Sequence, residues 1–112
     1  MLIVRVDGQL HYANVRTVRG RVQAMIAGME PPPRPVILDS AAWDHIDGTS
    51  TDMLKSLVKE LQWKDIDVYL VEVHAPVLDD ARRSGLVEII GEDHVHPTVN
   101  SAVTSLESKE IT

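Results

Sequence analysis

The chain has 112 residues, which suits one domain with a single hydrophobic core and is too short for two domains of ordinary size. Its 17 acidic and 11 basic side chains give a net charge of −6, which argues against nucleic acid as a partner because phosphate binding needs a concentrated positive surface. There is no cysteine, so disulfides and thiolate chemistry are excluded, and no apolar stretch approaches the roughly 20 residues that cross a bilayer.

The chain begins with a predicted pair of antiparallel strands. Residues 2–6 form a short apolar run, and Asp7 and Gly8 follow it directly. Both residues tolerate the positive φ angles of a tight hairpin turn, so a second strand is expected over 9–12. The fold is therefore predicted to open with a hairpin.

A first helix is predicted after Asn14, which can cap it, and it should end near residues 28–30. Arg16, Arg19 and Gln23 are predicted to point outward. The apolar residues of the segment recur at spacings of three and four, as on the buried face of a helix: Val15, Val18, Val22, Met25, Ile26 and Met29.

The middle of the chain predicts a buried strand and a second helix. The proline-rich segment 31–35 cannot continue the first helix and is interpreted as a stiff connector. Residues 36–38 form a continuous apolar run that is typical of a central strand buried on both faces. After a polar loop over 39–48, one face of a helix is marked by Met53, Leu54, Leu57, Val58 and Leu61.

The last third of the chain predicts two strands and two helices. A strand is expected over 67–73, and Pro76 can open a third helix that closes at Gly85. A short last strand is predicted over 86–90, and a fourth helix begins at Pro97 or Thr98. Its buried residues are predicted to be Val99, Ala102, Val103 and Leu106.

These elements predict an α/β fold with a mixed sheet, in which an N-terminal hairpin is followed by alternating helices and strands and about four helices pack on the sheet. Residues 1–107 are assigned to one domain and 108–112 to a flexible tail. Right-handed crossovers place the loops that follow the strands at one edge of the sheet, where open α/β sheets usually bind ligands.

The sequence also contains short motifs in a definite order. They are Val4-Arg-Val-Asp-Gly-Gln-Leu-His-Tyr-Ala-Asn14, Val36-Ile-Leu-Asp-Ser40, His45-Ile-Asp-Gly-Thr49, Val73-His-Ala-Pro76, Arg83-Ser-Gly-Leu86 and His96-Pro-Thr-Val99. In order and spacing they resemble the STAS domain, the module shared by SulP-type sulfate permeases and bacterial anti-sigma-factor antagonists. The Tyr-Ala-Asn and His-Ala-Pro pieces resemble the permease branch, and the resemblance spans essentially the whole chain.

The resemblance implies a non-catalytic regulatory domain of a bacterial SulP-type sulfate or other anion transporter. Such a domain would lie at the cytoplasmic face of the inner membrane, bind the transporter membrane domain or a cytosolic regulatory protein, and touch the membrane only through its parent protein. No cofactor is expected beyond weak nucleotide binding. The alternative is a free-standing cytoplasmic anti-sigma-factor antagonist or stressosome-like protein that docks on a serine kinase.

One position departs from the pattern of the antagonist branch. There, a partner kinase phosphorylates the serine that directly follows an aspartate, whereas here Asp47 is followed by Gly48. Thr49 or Ser50 would have to accept the phosphate instead. This departure argues against a simple sigma-factor switch.

The candidate site for binding a partner or an anion is the loop after the central strand together with the start of the second helix. Its residues are Asp39, Ser40, Asp47, Gly48, Thr49 and Ser50. A helix N-terminus attracts anions, but Asp47, Thr49 or Ser50 can equally cap the helix. Asp39 and Ser40 can orient a ligand or close the loop through bonds to the backbone. Because no nucleophile, metal motif or phosphate-binding glycine loop accompanies them, no enzyme is predicted.

Other notable residues have a structural interpretation that we prefer. His94 and His96 lie on one face of a strand at a spacing that suits a metal, but no third ligand accompanies them, so a solvated loop and no metal are predicted. Arg16, Arg19 and Arg21 can meet acidic lipids or a neighbouring transporter surface, but an ordinary solvated helix face is the preferred interpretation. The two tryptophans, Trp43 and Trp63, are expected to close the edges of the core.

Overall fold

The structure, a computed structural model, describes residues 2–5, 15–30 and 34–111, with no side chains after residue 107. The described strands are β1 (Leu2–Arg5), β2 (Val36–Asp39), β3 (Val68–Val71) and β4 (Val95–His96). The described α-helices are α1 (Val15–Ala27), α2 (Gly48–Trp63), α3 (Ala75–Ser84), α4 (Leu86–Ile90) and α5 (Val99–Ile111). A single 3₁₀ turn, Glu92–His94, leads into β4.

The sheet has the order β1-β2-β3-β4, and each described strand runs parallel to its neighbours. β2 lies between β1 and β3 and is buried along its whole length, which confirms it as a central strand. Helical crossovers between sequential parallel strands account for the alternation of the elements along the chain. The predicted hairpin at Asp7 and Gly8, with its strand over 9–12, lies outside the described residues, and the described strands give an all-parallel sheet rather than a mixed one.

Helices cover both faces of this sheet because successive side chains of a strand point to opposite sides. On one face Val4, Leu38 and Leu70 join the large core that the buried sides of α1, α2, α3 and α4 complete. On the other face Ile37 and Tyr69 pack with Ala102 of α5, flanked by Val99 and Leu106. Residues 36–38 of β2 are therefore apolar and buried on both faces, as the sequence predicted, and Asp39 ends the strand.

The strand predicted over 86–90 is wrong, because this segment is the short helix α4. Leu86, Val87 and Ile90 are buried while Glu88 is exposed, a spacing that fits one side of a helix and not the alternation of a strand. Glycines separate α4 from its neighbours: Gly85 has φ 86° and Gly91 has φ 104°. The edge of the sheet is formed instead by the two residues of β4.

Two predictions for α1 also need correction. Val15, Val22 and Ile26 are buried as expected, but Met25 and Met29 are 38% and 36% exposed. Arg19 and Gln23 do not simply face solvent: Arg19 lies 3.3 Å from Glu60 Oε2, and Gln23 donates to the same oxygen at 2.9 Å. The polar face of α1 therefore contacts α2.

The two tryptophans have opposite environments. Trp43 is 1% exposed and belongs to the core, whereas Trp63 at the end of α2 is 89% exposed. The expectation that both close the edges of the core is wrong for Trp63.

At the C-terminal end of the chain, α5 runs to Ile111, so its backbone is helical over most of the segment assigned to a tail.

Candidate functional site

The candidate site lies at the carboxyl edge of the sheet, where the loop over 40–47 leaves β2 and enters α2. Asp39 is the last residue of β2 and Gly48 is the first of α2, so the fold brings all six predicted residues to one loop and its two ends. In open α/β sheets this edge is the usual location of binding sites. The six residues predicted from the sequence therefore lie together at this edge of the sheet.

Asp39 and Ser40 hold the start of the loop. The amide of Ala41 donates to Asp39 Oδ1 at 2.9 Å, and the Ser40 hydroxyl donates to the carbonyl oxygen of Val71 at 2.9 Å. Ser40 is fully buried and Asp39 is 9% exposed. The Ser40 bond joins the loop to β3 and the Asp39 bond closes the first turn of the loop itself, so both side chains close the loop, which is the structural alternative drawn from the sequence.

Apolar side chains anchor the middle of the loop. Trp43 and Ile46 are buried in the main core, and the Trp43 amide donates to the carbonyl oxygen of Ser40 at 3.0 Å. Asp44 and His45 lie between them and are exposed. The loop thus alternates anchors with residues that face solvent, which gives it a defined shape without secondary structure.

Asp47 caps α2. Its Oδ1 accepts a hydrogen bond from the Ser50 amide at 2.6 Å, and its backbone carbonyl accepts from the Thr51 amide at 2.9 Å and from the Thr51 hydroxyl at 2.8 Å. With φ −74° and ψ 167°, it has the extended conformation of an N-cap residue. The capping function expected of this turn therefore belongs to Asp47.

The two hydroxyls proposed as phosphate acceptors differ in accessibility. Thr49 is exposed, whereas Ser50 is fully buried and its Oγ has no hydrogen-bond partner among the described residues. Gly48 is exposed, and a Cβ atom placed on it would meet nothing within 4 Å. A kinase could reach Thr49 in this conformation but not Ser50.

α3 holds the loop from a second side. His74 Nε2 lies 2.7 Å from the carbonyl oxygen of Ala41, and Asp80 Oδ2 accepts from the Ile46 amide at 3.1 Å. Arg83 donates to Asp80 Oδ1 at 2.6 Å, and His45 Nδ1 lies 3.4 Å from Oδ2. The hydrogen bond from the Ile46 amide is the main cause that lowers the pKa of Asp80 below its ordinary value. Burial, the next largest effect, opposes it, and the hydrogen bonds from Arg83 and His45 lower the pKa further.

Sequence reasoning missed Asp80 because its contact with the loop is long-range. Asp80 lies 34 positions from Ile46, and no motif or periodicity joins the two residues. Its neighbour Asp79 has the same residue type and is exposed, so composition does not distinguish them. Only the packing of α3 beside the loop identifies Asp80.

His94 and His96 are engaged with the protein and do not form the solvated loop that was predicted. His94 stacks on Tyr69 with the ring centroids 4.2 Å apart, and its Nδ1 lies 3.2 Å from the carbonyl oxygen of Val68. His96 Nδ1 lies 2.9 Å from the Ser101 hydroxyl. Among the described residues, no three histidine, aspartate or glutamate side chains are grouped so that they could hold a metal ion.

A cavity of about 180 Å³ lies beside this edge, between α3, β4 and the start of α5. Its wall includes Val73, Leu78 and His96, with Arg82 and Glu92 forming an ion pair at its mouth at 3.5 Å. The volume is below the range of about 300–1,000 Å³ that is typical of small-molecule sites. None of the six predicted site residues lines it.

Within the described ranges, no helix combines the length and the apolar character that a membrane span requires.

Comparison with known proteins identifies the family. A family model of the STAS domain matches residues 1–102. The chain is 29% identical to Sulfate transporter 1.3 of Arabidopsis thaliana over 117 residues, which is 97% of this chain and 18% of that protein. It is 30% identical to Sulfate transporter 1.1 of the same plant, over 92% of this chain and 17% of that protein. The chain thus spans less than a fifth of the length of these relatives.

Solved structures show the same fold. The STAS domain of a SulP transporter from Vibrio cholerae superposes with a TM-score of 0.81 at 19% identity, over 99% of this chain and 84% of that chain. The murine Solute Carrier 26 family member A9 anion transporter in its inward-facing state gives a TM-score of 0.85 at 25% identity, over 95% of this chain and 17% of that chain. Sequence and fold agree with the resemblance found from the motifs, and the chain belongs to the STAS domain family.

Proposed function

We propose that this chain is the regulatory and interaction domain of a SulP-type sulfate or other anion transporter, that it acts by binding protein, and that it catalyses no reaction. The observation that carries this proposal is the form of the match: nearly the whole chain aligns with less than a fifth of sulfate transporters. In this proposal the domain lies at the cytoplasmic face of the membrane, next to the transport domain of its parent protein.

The 39–50 segment is the proposed contact surface. Its backbone is held by Ser40, Trp43 and Ile46, while Asp44, His45 and Thr49 face solvent. A loop that is held in this way loses little conformational entropy when a partner binds, because its shape exists before the encounter. This favours protein recognition over a role as a flexible linker.

The first experiment sequences the gene that encodes the chain and assays the full-length transporter. We expect the reading frame to encode hydrophobic helices upstream of this domain. In vesicles that contain the transporter, Thr49→Arg should reduce labelled sulfate uptake, since a bulky cation would disturb the contact. Ser56→Arg, also exposed on α2 and two turns away, should not. A reading frame without such helices contradicts the proposal, and equal uptake by both variants and the parent contradicts the proposed contact surface.

The exposed hydroxyl of Thr49 favours one second candidate, a free-standing antagonist that docks on a serine kinase. Incubation with the cognate kinase should then place a phosphate on Thr49, detected by mass spectrometry of the 47–51 turn. Gly48→Ser places a hydroxyl where the antagonist branch carries its acceptor, and the open space around Gly48 accommodates it. Absence of phosphate from this turn in both proteins contradicts this candidate.

Nucleotide sensing is the remaining part of the proposal, with the start of α2 as the phosphate contact. Because the Asp47 carboxylate already accepts from the Ser50 amide, a phosphate must share this end of the helix with the cap. Titration with millimolar GTP or ATP should therefore shift the NMR signals of the amides at 48–52 only slightly, with weak affinity. An unchanged spectrum contradicts nucleotide sensing at this site.

A further inference from the structure

Asp80 lies on α3, faces the 40–47 loop and is largely shielded, with 17% of its side chain exposed. Oδ2 accepts from the Ile46 amide at 3.1 Å and Oδ1 accepts from Arg83 at 2.6 Å. The His45 imidazole faces the same carboxylate, its Nδ1 being 3.4 Å from Oδ2. One carboxylate thus joins a backbone amide of the loop, a side chain of the loop and a side chain of its own helix.

The hydrogen bond from the Ile46 amide lies where the loop leaves the core and approaches α2. The side chain of Ile46 is 6% exposed and packs in the main core, and the next residue, Asp47, caps α2. The amide of Ile46 therefore fixes the chain where it turns from the core towards the start of α2. Hydrogen bonds to a charged acceptor are about twice as strong as neutral ones, so this bond is well suited to hold the turn.

We propose that Asp80 is a positioning residue, which fixes the 40–47 loop against α3 through the Ile46 amide and thereby sets the orientation of the Asp47–Thr49 turn. The Asp80 carboxylate and the His74 imidazole link α3 to the loop at two points, so we expect the helix and the loop to move together. A partner that displaces α3 would also displace the loop, and this consequence for binding rests on the proposed function. The positioning itself does not depend on it.

The charged groups around Asp80 determine how its contact with the Ile46 amide responds to substitution and to pH. Arg83 approaches from α3 and His45 from the loop. Two basic side chains and the Ile46 amide therefore face the carboxylate. An asparagine at position 80 keeps an oxygen acceptor for the amide but loses the charge that attracts Arg83 and His45.

Amide hydrogen exchange and NMR titration of the isolated 112-residue chain test the proposal. In Asp80→Ala the Ile46 amide should exchange on the order of tenfold faster than in the parent, whereas amides of β2 and β3 should be unchanged. Asp80→Asn should retain most of the protection. Asp79→Asn, an exposed neighbour on the same helix, is the matched control and should behave as the parent does.

The pH dependence separates positioning from a purely structural effect. In the parent and in Asp79→Asn, the proton chemical shift of the Ile46 amide should titrate with a midpoint below 3.8, the ordinary value of an aspartate, because the pKa of Asp80 is lowered. In Asp80→Asn the part of this titration that Asp80 causes should be lost. Unchanged exchange in Asp80→Ala, or the same titration in Asp80→Asn as in the parent, overturns the proposal.

These readouts are independent of any partner. If Asp80→Ala releases the Ile46 amide and the 40–47 loop shifts in the spectrum, the positioning is established even where sulfate uptake by the transporter does not respond to Thr49→Arg. That second result would contradict the proposed contact surface alone. The two proposals therefore fail separately.

Discussion

Asp47 stabilises the fold at the same point where a partner or anion is proposed to bind. Its carboxylate accepts from the Ser50 amide at 2.6 Å and satisfies one of the donors that every helix leaves unpaired in its first turn. A ligand that competes for this amide must overcome the intramolecular cap. This explains why the turn is better suited to contact a protein surface, which can recognise the cap as it stands, than to hold a free anion tightly.

Substitution of Asp47 measures the strength of the cap. Asp47→Ala should lower the free energy of unfolding by about 1 kcal/mol because the Ser50 amide loses its acceptor. Asp47→Asn keeps a side-chain oxygen at the same place, so its stability should stay close to that of the parent. Urea unfolding followed by circular dichroism measures both variants, and equal losses in the two would show that the cap is not the cause.

Asp80 gives the stability a dependence on acid pH. Because its pKa in the folded chain is lowered, mainly by the Ile46 amide, the carboxylate stabilises the fold at pH values above its ordinary pKa. This contribution is lost as the pH falls through the lowered value. The difference in unfolding free energy between the parent and Asp80→Asn should therefore shrink as the pH is lowered from 6 towards 3. A constant difference for Asp80→Asn would contradict this origin.

At the level of elements, α4 shows what a short apolar run leaves undecided. In the sequence, the segment Leu86–Ile90 has apolar residues on both sides of Glu88, which fits either a buried strand or about one and a half turns of helix. The burial seen in the structure, where Leu86, Val87 and Ile90 lie inside, separates the two. The glycines on both sides of the segment decide between helix and strand. Gly85 takes a left-handed conformation that ends α3 and allows α4 to begin at once in a new direction.

Two glycine substitutions should therefore have opposite effects. Gly85→Ala should lower the free energy of unfolding by about 1–2 kcal/mol, because φ of 86° is unfavourable for a residue with a Cβ atom. Gly20→Ala, within α1 and with nothing within 4 Å of its added Cβ atom, should raise it by about 0.5–1 kcal/mol. Thermal unfolding of both variants gives the signs directly. Stabilisation by Gly85→Ala would show that the left-handed conformation at the α3–α4 junction is not required.

For the whole molecule, the sequence was informative wherever a pattern is local or repeats. The apolar run of β2 and the helical spacing of α2 identified these elements because burial on two faces, or on one face of a helix, leaves a direct trace in the order of residues. The exposure of Trp63 and the contact between Asp80 and Ile46 leave no such trace. Both depend on which elements become neighbours, and that is decided by the packing of the entire chain.

The second face of the sheet depends on α5. Ile37 and Tyr69 are almost completely buried, and the partner that α5 places against them is Ala102, which is itself fully buried. A small residue at this point lets the helix approach the strands closely. The sheet thus has a large core on one side and a thin one on the other, and among the described residues the thin one is covered by α5 and by the His94 ring that stacks on Tyr69.

Charge placed at the centre of this thin core should release α5. Ala102→Asp buries a carboxylate without a prepared partner, so the free energy of unfolding should fall by roughly 3 kcal/mol or more. Thr104→Asp, two positions away on the exposed side of α5, should change it by less than about 0.5 kcal/mol. Urea unfolding of both variants, with the NMR signals of Tyr69 and His94 as reporters of the face, measures the effect. Equal stabilities would show that α5 contributes little to the fold, since a helix that covers Ile37 and Tyr69 cannot tolerate a charge at Ala102, which packs in the same buried cluster.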